Sequence, residues 1–141
     1  MTDEILLDGQ CLCGAVKIAA RPVDGKLRAC HCEMCRRHTS SAFVSVSVDQ
    51  PSLKVSGPVT LYRSSEWAER AFCGTCGSTL WYATQADGVR NLAAGLFANA
   101  AGGTLETEFF ADNCPAGYGF GGDHRKLSGE ETVAMFSEMK T

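Results

Sequence analysis

At 141 residues and 15.0 kDa the chain suits one domain that buries ~68–70% of its unfolded surface, so it should fold around a core without disulfide staples. Thirteen Lys and Arg against 16 Asp and Glu give a net charge of −3, and no basic cluster is longer than Arg36-Arg37, which excludes the electrostatic footprint of a protein that binds nucleic acid or an anionic membrane. The acidic start MTDEILLDGQ lacks the basic and apolar regions of a signal peptide, and no apolar run approaches ~18 residues, so a soluble, cytoplasmic protein is expected.

Strand signals come in chain order at 15–20 (AVKIAA), 42–48 (AFVSVSV), 52–56 (SLKVS), 59–64 (VTLYRS), 79–83 (TLWYA) and 107–111 (TEFFA). Val44, Val46 and Val48 alternate with Ser45 and Ser47, the period of a sheet wet on one side. Turns are expected at Arg21-Pro22, Gln50-Pro51 and Gly57-Pro58. Helix is scarce: a short one after Cys35, and another from Ser128, where Ser128 and Glu131 can form a capping box ahead of Val133, Phe136 and Met139. No repeat or linker divides the chain, so residues 1–141 read as a single, mainly β domain of antiparallel sheets.

Seven of the eight cysteines fall in tight groups, which favours metal over disulfides. FCGTCGS has the form of a zinc knuckle, with two residues between Cys73 and Cys76 and Gly74, Gly77 and Ser78 small enough for the backbone to turn its N–H groups toward the sulfurs. The other half of that site is expected from Cys11 and Cys13, which share a face if their segment is extended. Four cysteines close a structural zinc site.

CHCEMC behaves differently. Cys30 and Cys32 share a face by the same spacing and Cys35 returns to them around a turn, but no fourth cysteine accompanies them. Cys114 sits far off in ADNCPAGYGF. His31 points away from its neighbours on an extended segment, which favours a hydrogen-bonding or substrate-facing role over ligation, and His38 reads as solvated surface. A three-thiolate zinc that leaves its fourth position to substrate is how catalytic sites differ from structural ones.

The segments GQCLCGAVKI, CHCEMCRRHTSSAF and YRSSEWAERAFCGTCGSTLWY, in that order, resemble the glutathione-dependent formaldehyde-activating enzyme family, which also includes centromere protein V. The resemblance runs from Gly9 to Tyr82 and more weakly to Asp123. It implies a zinc-stabilised β-tent with two Zn²⁺ per chain, Cys11, Cys13, Cys73 and Cys76 on a structural zinc and Cys30, Cys32 and Cys35 on the site zinc. Two departures bear on the substrate: Ser40 stands where many relatives have Gly, and Glu108 where members often carry His.

The activity so implied is that of a carbon–sulfur lyase, similar to an S-(hydroxymethyl)glutathione synthase, joining glutathione to formaldehyde or another small aldehyde. Zinc would either position the thiol or polarise the carbonyl. Arg36, Arg37, Arg63 and Arg70 are the cationic candidates for glutathione's carboxylates, the alternative being surface charges paired with glutamate or water. Two other classes compete: a zinc-stabilised binding module or chaperone-like interaction protein without catalysis, and a metal or redox sensor using Cys114. Gly117, Gly119 and Gly122 spell G-x-G-x-x-G without the strand and helix that dinucleotide binding needs, so this stretch reads as a flexible loop able to cover the zinc. Trp67, Trp81, Phe109, Phe110, Tyr118 and Phe120 read as core.

Overall fold

The structure, a computed structural model, describes residues 6–139; the first five residues of the acidic start and the Met139 side chain lie outside what it describes. The strands are β1 (Leu7–Gln10), β2 (Lys17–Ala20), β3 (Pro22–Cys30), β4 (Phe43–Val48), β5 (Lys54–Ser56), β6 (Val59–Arg63), β7 (Ala68–Cys73), β8 (Thr79–Thr84), β9 (Arg90–Ala93), β10 (Thr104–Phe109) and β11 (Arg125–Lys126). The helices are α1 (Glu33–Thr39) and α2 (Gly129–Met139). The protein is therefore mainly β, and among the described residues no helix is long and apolar enough to cross a membrane.

The chain divides into two compact units. The first comprises residues up to Lys26 together with Ser45–Thr104, and the second Leu27–Val44 with Leu105 onward. In the first unit β1, β2 and β5 form an antiparallel sheet in that order. Val16, Ile18 and Ala20 alternate inward and are almost completely buried, while Lys17 faces solvent. A second antiparallel run, β9-β8-β7-β6, sets Leu61, Ala71, Trp81 and Leu92 side by side. Ser45 and Val46 of β4 pair with Ala93 and Leu92 of β9, and Val46 and Val48 are buried as their alternation predicts.

Strand β7 carries no clear signal in the sequence because Arg70 breaks its apolar pattern. The guanidinium is nonetheless buried, 5.1 Å from the centre of the Tyr82 ring on β8. The turn expected at Arg21-Pro22 is instead the start of β3; proline is tolerated at the first position of a strand, where its missing N–H removes no ladder bond.

In the second unit β10 and β11 pair in parallel, Glu108 opposite Lys126. Strand β10 ends at Phe109 rather than at 111, because Phe110 turns to a left-handed φ of 53°. Its N–H donates to the Thr132 hydroxyl at 3.1 Å, and Phe109 and Phe136 stack with centroids 5.3 Å apart, so α2 is tied to the end of β10. The expected capping box opens α2: the Glu131 N–H donates to Ser128 Oγ at 3.1 Å and the Ser128 N–H to Glu131 Oε1 at 2.9 Å. Gly129 is required there, since a β-carbon would come within 2.9 Å of the Phe110 ring. Among the aromatics read as core, Trp81 is buried, whereas Trp67, Tyr118 and Phe120 are exposed.

Candidate metal centres

Four sulfurs meet in the first unit. Cys11, Cys13, Cys73 and Cys76 lie within 4.8 Å of one another. The segment bearing Cys11 and Cys13 is a turn rather than extended: Gly14 takes φ 82° and its N–H donates to the Cys11 carbonyl at 3.1 Å. The turn, not strand alternation, brings the two sulfurs to 3.6 Å. The Leu12 N–H reaches Ser78 Oγ at 3.0 Å, fastening this turn to the knuckle. At the knuckle Gly77, at φ 80°, returns its N–H to the Cys73 carbonyl at 2.8 Å.

Backbone N–H groups then converge on sulfur. Val16 donates to Cys11 Sγ at 3.3 Å, and Thr75 and Cys76 both donate to Cys73 Sγ at 3.4 Å. The Ser78 hydroxyl and N–H pull the Cys76 thiol down to about 5. The Ala15 N–H lowers Cys13 too, but desolvation and the other three sulfurs outweigh it and push that thiol up to about 11. The donor set fits zinc: four sulfurs, fixed by turns and already receiving N–H groups.

The second unit holds three sulfurs. Those of Cys30, Cys32 and Cys35 also lie within 4.8 Å of one another. Cys30 ends β3, Cys32 is the N-cap of α1 and Cys35 sits in its first turn, 4% exposed. The Cys32 and Cys35 sulfurs, reinforced by burial, push the Cys30 thiol far up. This donor set also fits zinc, with three protein ligands among the described residues.

His31 is not in that group. Strand β3 ends at Cys30 and Cys32 already caps α1, so strand alternation does not govern this segment; His31 Nε2 lies 2.7 Å from Glu108 Oε1. The other carboxylate oxygen of Glu108 takes His124 Nε2, a partner that the sequence does not single out. Burial alone would raise the Glu108 carboxyl, but the bonds from His124 and His31 outweigh it and hold it below the usual glutamate range. An isolated histidine after a run of glycines carries no periodic signal, so His124 could be found only from the fold.

Cys114 joins neither group; its Sγ donates to the Tyr118 carbonyl at 3.4 Å. Of the four arginines named as candidates for a substrate's carboxylates, Arg37 pairs with Glu33 on the exposed face of α1 at 2.6 Å. Arg63 donates to the carbonyls of Ser65 and Glu66, and it and Arg70 belong to the first unit. Arg36 and His38 are exposed on α1.

A model of the family described as glutathione-dependent formaldehyde-activating enzyme matches residues 6–113. The chain belongs to that family. An uncharacterized lyase of Schizosaccharomyces pombe is 38% identical over 115 residues, which is 80% of this chain and 84% of the relative. A provisionally named glutathione-dependent formaldehyde-activating enzyme of Halomonas elongata is 31% identical over 87 residues, 55% of each chain. The crystal structure of a Rhodobacter sphaeroides protein covers 66% of this chain and 89% of its own, with a TM-score of 0.57 at 25% identity. Both cysteine groups and Glu108 fall inside the stretch that defines the family, and His124 falls beyond it.

Proposed function

We propose that the protein is a zinc-dependent carbon–sulfur lyase that joins glutathione or a similar small thiol to formaldehyde or another small aldehyde, and splits the adduct in reverse. The observation that carries this reading is the unequal ligand count, four sulfurs in one group and three in the other. Cys11, Cys13, Cys73 and Cys76 saturate a structural ion. Cys30, Cys32 and Cys35 hold an ion whose fourth ligand must come from outside the described cysteines, since Cys114 bonds Tyr118 and His31 bonds Glu108. Membership of the family and the lyase name of a relative support the reaction class.

Zinc, when bound, supplies positive charge that favours thiolate over thiol or draws electrons from the aldehyde oxygen. The protein's own part is placement. Helix α1 and the end of β3 fix the three sulfurs, and the Cys35 N–H held on Cys32 Sγ keeps that side chain from swinging out. In the addition the substrate sulfur forms its bond to the carbonyl carbon, the C=O π pair moves to oxygen, and the proton released by the thiol ends there.

X-ray absorption at the zinc edge, with and without glutathione, tests this. Saturating thiol should convert a mixed sulfur and oxygen shell to an all-sulfur one, and Cys35→Ala should abolish the change while the four-cysteine centre stays filled. A spectrum that does not respond to saturating thiol would remove direct thiol ligation and favour a binding module.

A further inference from the structure

Glu108 takes no part in the addition above, yet it is the most constrained carboxylate of the second unit. Its side chain is 4% exposed, and those of its partners His31 and His124 are 1% and 3% exposed. A buried carboxylate costs several kcal/mol unless donors satisfy it. Here one oxygen accepts from each imidazole, which fixes both ring orientations.

The two imidazoles sit at different places in the chain. His31 lies between Cys30 and Cys32, with its backbone N–H on the Phe109 carbonyl at 3.0 Å. His124 closes the exposed stretch 115–123, whose Phe120 ring leans on His31 with centroids 5.7 Å apart. The stretch has little packing of its own: a β-carbon added at Gly117, Gly119 or Gly121 would meet nothing within 4 Å. The stretch is exposed throughout and its glycines carry no side chain to keep another molecule from the backbone, although the Tyr118 carbonyl already accepts from the Cys114 thiol.

We propose that Glu108 is a positioning residue: through His31 and His124 it holds the glycine-rich stretch 115–123 beside the three-cysteine centre, as the wall that receives the peptide-like remainder of the thiol substrate. The inference rests on the thiol-addition reading above for its substrate, but not for its geometry. With the tether intact, binding the remainder costs no further ordering of the loop, and releasing the tether returns that cost to substrate binding.

The test compares His124→Ala with His124→Gln, whose amide N–H can still donate to Glu108. His124→Ala should keep both zinc ions, speed amide exchange over 115–123 by about tenfold, and raise KM for glutathione about tenfold with kcat changed less than about twofold. His124→Gln should restore most of both effects. Unchanged exchange, glutamine no better than alanine, or a fall in kcat at constant KM would each overturn the proposal. Amide exchange needs no turnover, so it decides the positioning role even if the wild-type protein proves inactive as a lyase. If His124→Ala does not fold, Phe120→Ala, which leaves Glu108 and both imidazoles in place, should speed the same exchange; no change there would also overturn the proposal.

Discussion

The sulfur of Cys32 accepts the backbone N–H of Cys35 at 3.4 Å, so one side chain both caps α1 and faces two other thiols. The roles can be separated. Serine is a good N-cap and a poor zinc ligand, whereas alanine is neither. Both Cys32→Ser and Cys32→Ala should lose the zinc of the three-cysteine centre, but denaturant titration should find the serine variant more stable by about 1 kcal/mol. Equal stabilities would show that the cap contributes nothing.

The two centres should release metal at different rates. In the four-cysteine group the sulfurs are tied by turns and N–H donors, whereas the three-cysteine group spans only Cys30 to Cys35, and an ion held there would keep one exchangeable position. Dialysis against a mild chelator should remove one zinc first with the far-ultraviolet circular dichroism unchanged. Simultaneous loss of both ions with unfolding would contradict the distinction.

Ser40 closes α1 at φ 74°, with its N–H on the Arg36 carbonyl at 2.8 Å. A left-handed residue with a β-carbon is strained by about 1–2 kcal/mol, part of which glycine would return as unfolded-state entropy. Ser40→Gly should therefore stabilise by about 0.5–1 kcal/mol, raising Tm by about 1–4 °C. A Tm at or below that of the natural protein would mean that the serine hydroxyl makes a compensating contact.

Acid should act through Glu108. Its folded carboxyl lies below the usual 4.5, so the stability it contributes is fully present above that pH and is lost as pH falls through the lower folded value. The difference in stability between the natural protein and Glu108→Gln should shrink as pH falls below 4.5. A difference that stays constant to pH 3 would place the contribution of Glu108 in shape rather than charge.

Much of the fold and both cysteine groups are legible in the amino-acid sequence. Val46 and Val48 alternate into the core, Ser128 and Glu131 cap α2, and the knuckle turns where Gly77 permits. These are local signals, carried by spacing and by single residues with strong backbone preferences. What escapes is non-local. Strand β7 hides behind Arg70, whose charge is accommodated by a ring on the neighbouring strand. The pairing of Glu108 with His124 joins residues that no periodicity relates, and in the sequence the unusual glutamate is only a departure from the family. The exposure of Trp67 and Tyr118 shows the opposite error, since an aromatic residue is core only if the fold brings something to cover it.

The second unit is discontinuous: Cys30, Cys32 and Cys35 belong to residues 27–44, and the residues that complete their surroundings begin at Leu105. During synthesis the three thiols leave the ribosome well before Glu108 or His124 has been made. At about 5–20 residues per second that interval lasts several seconds. For that time the nascent chain presents a bare trio of thiols open to an oxidant or the wrong metal, so under the zinc reading proposed above early capture of the ion would be a matter of order of assembly as much as of affinity.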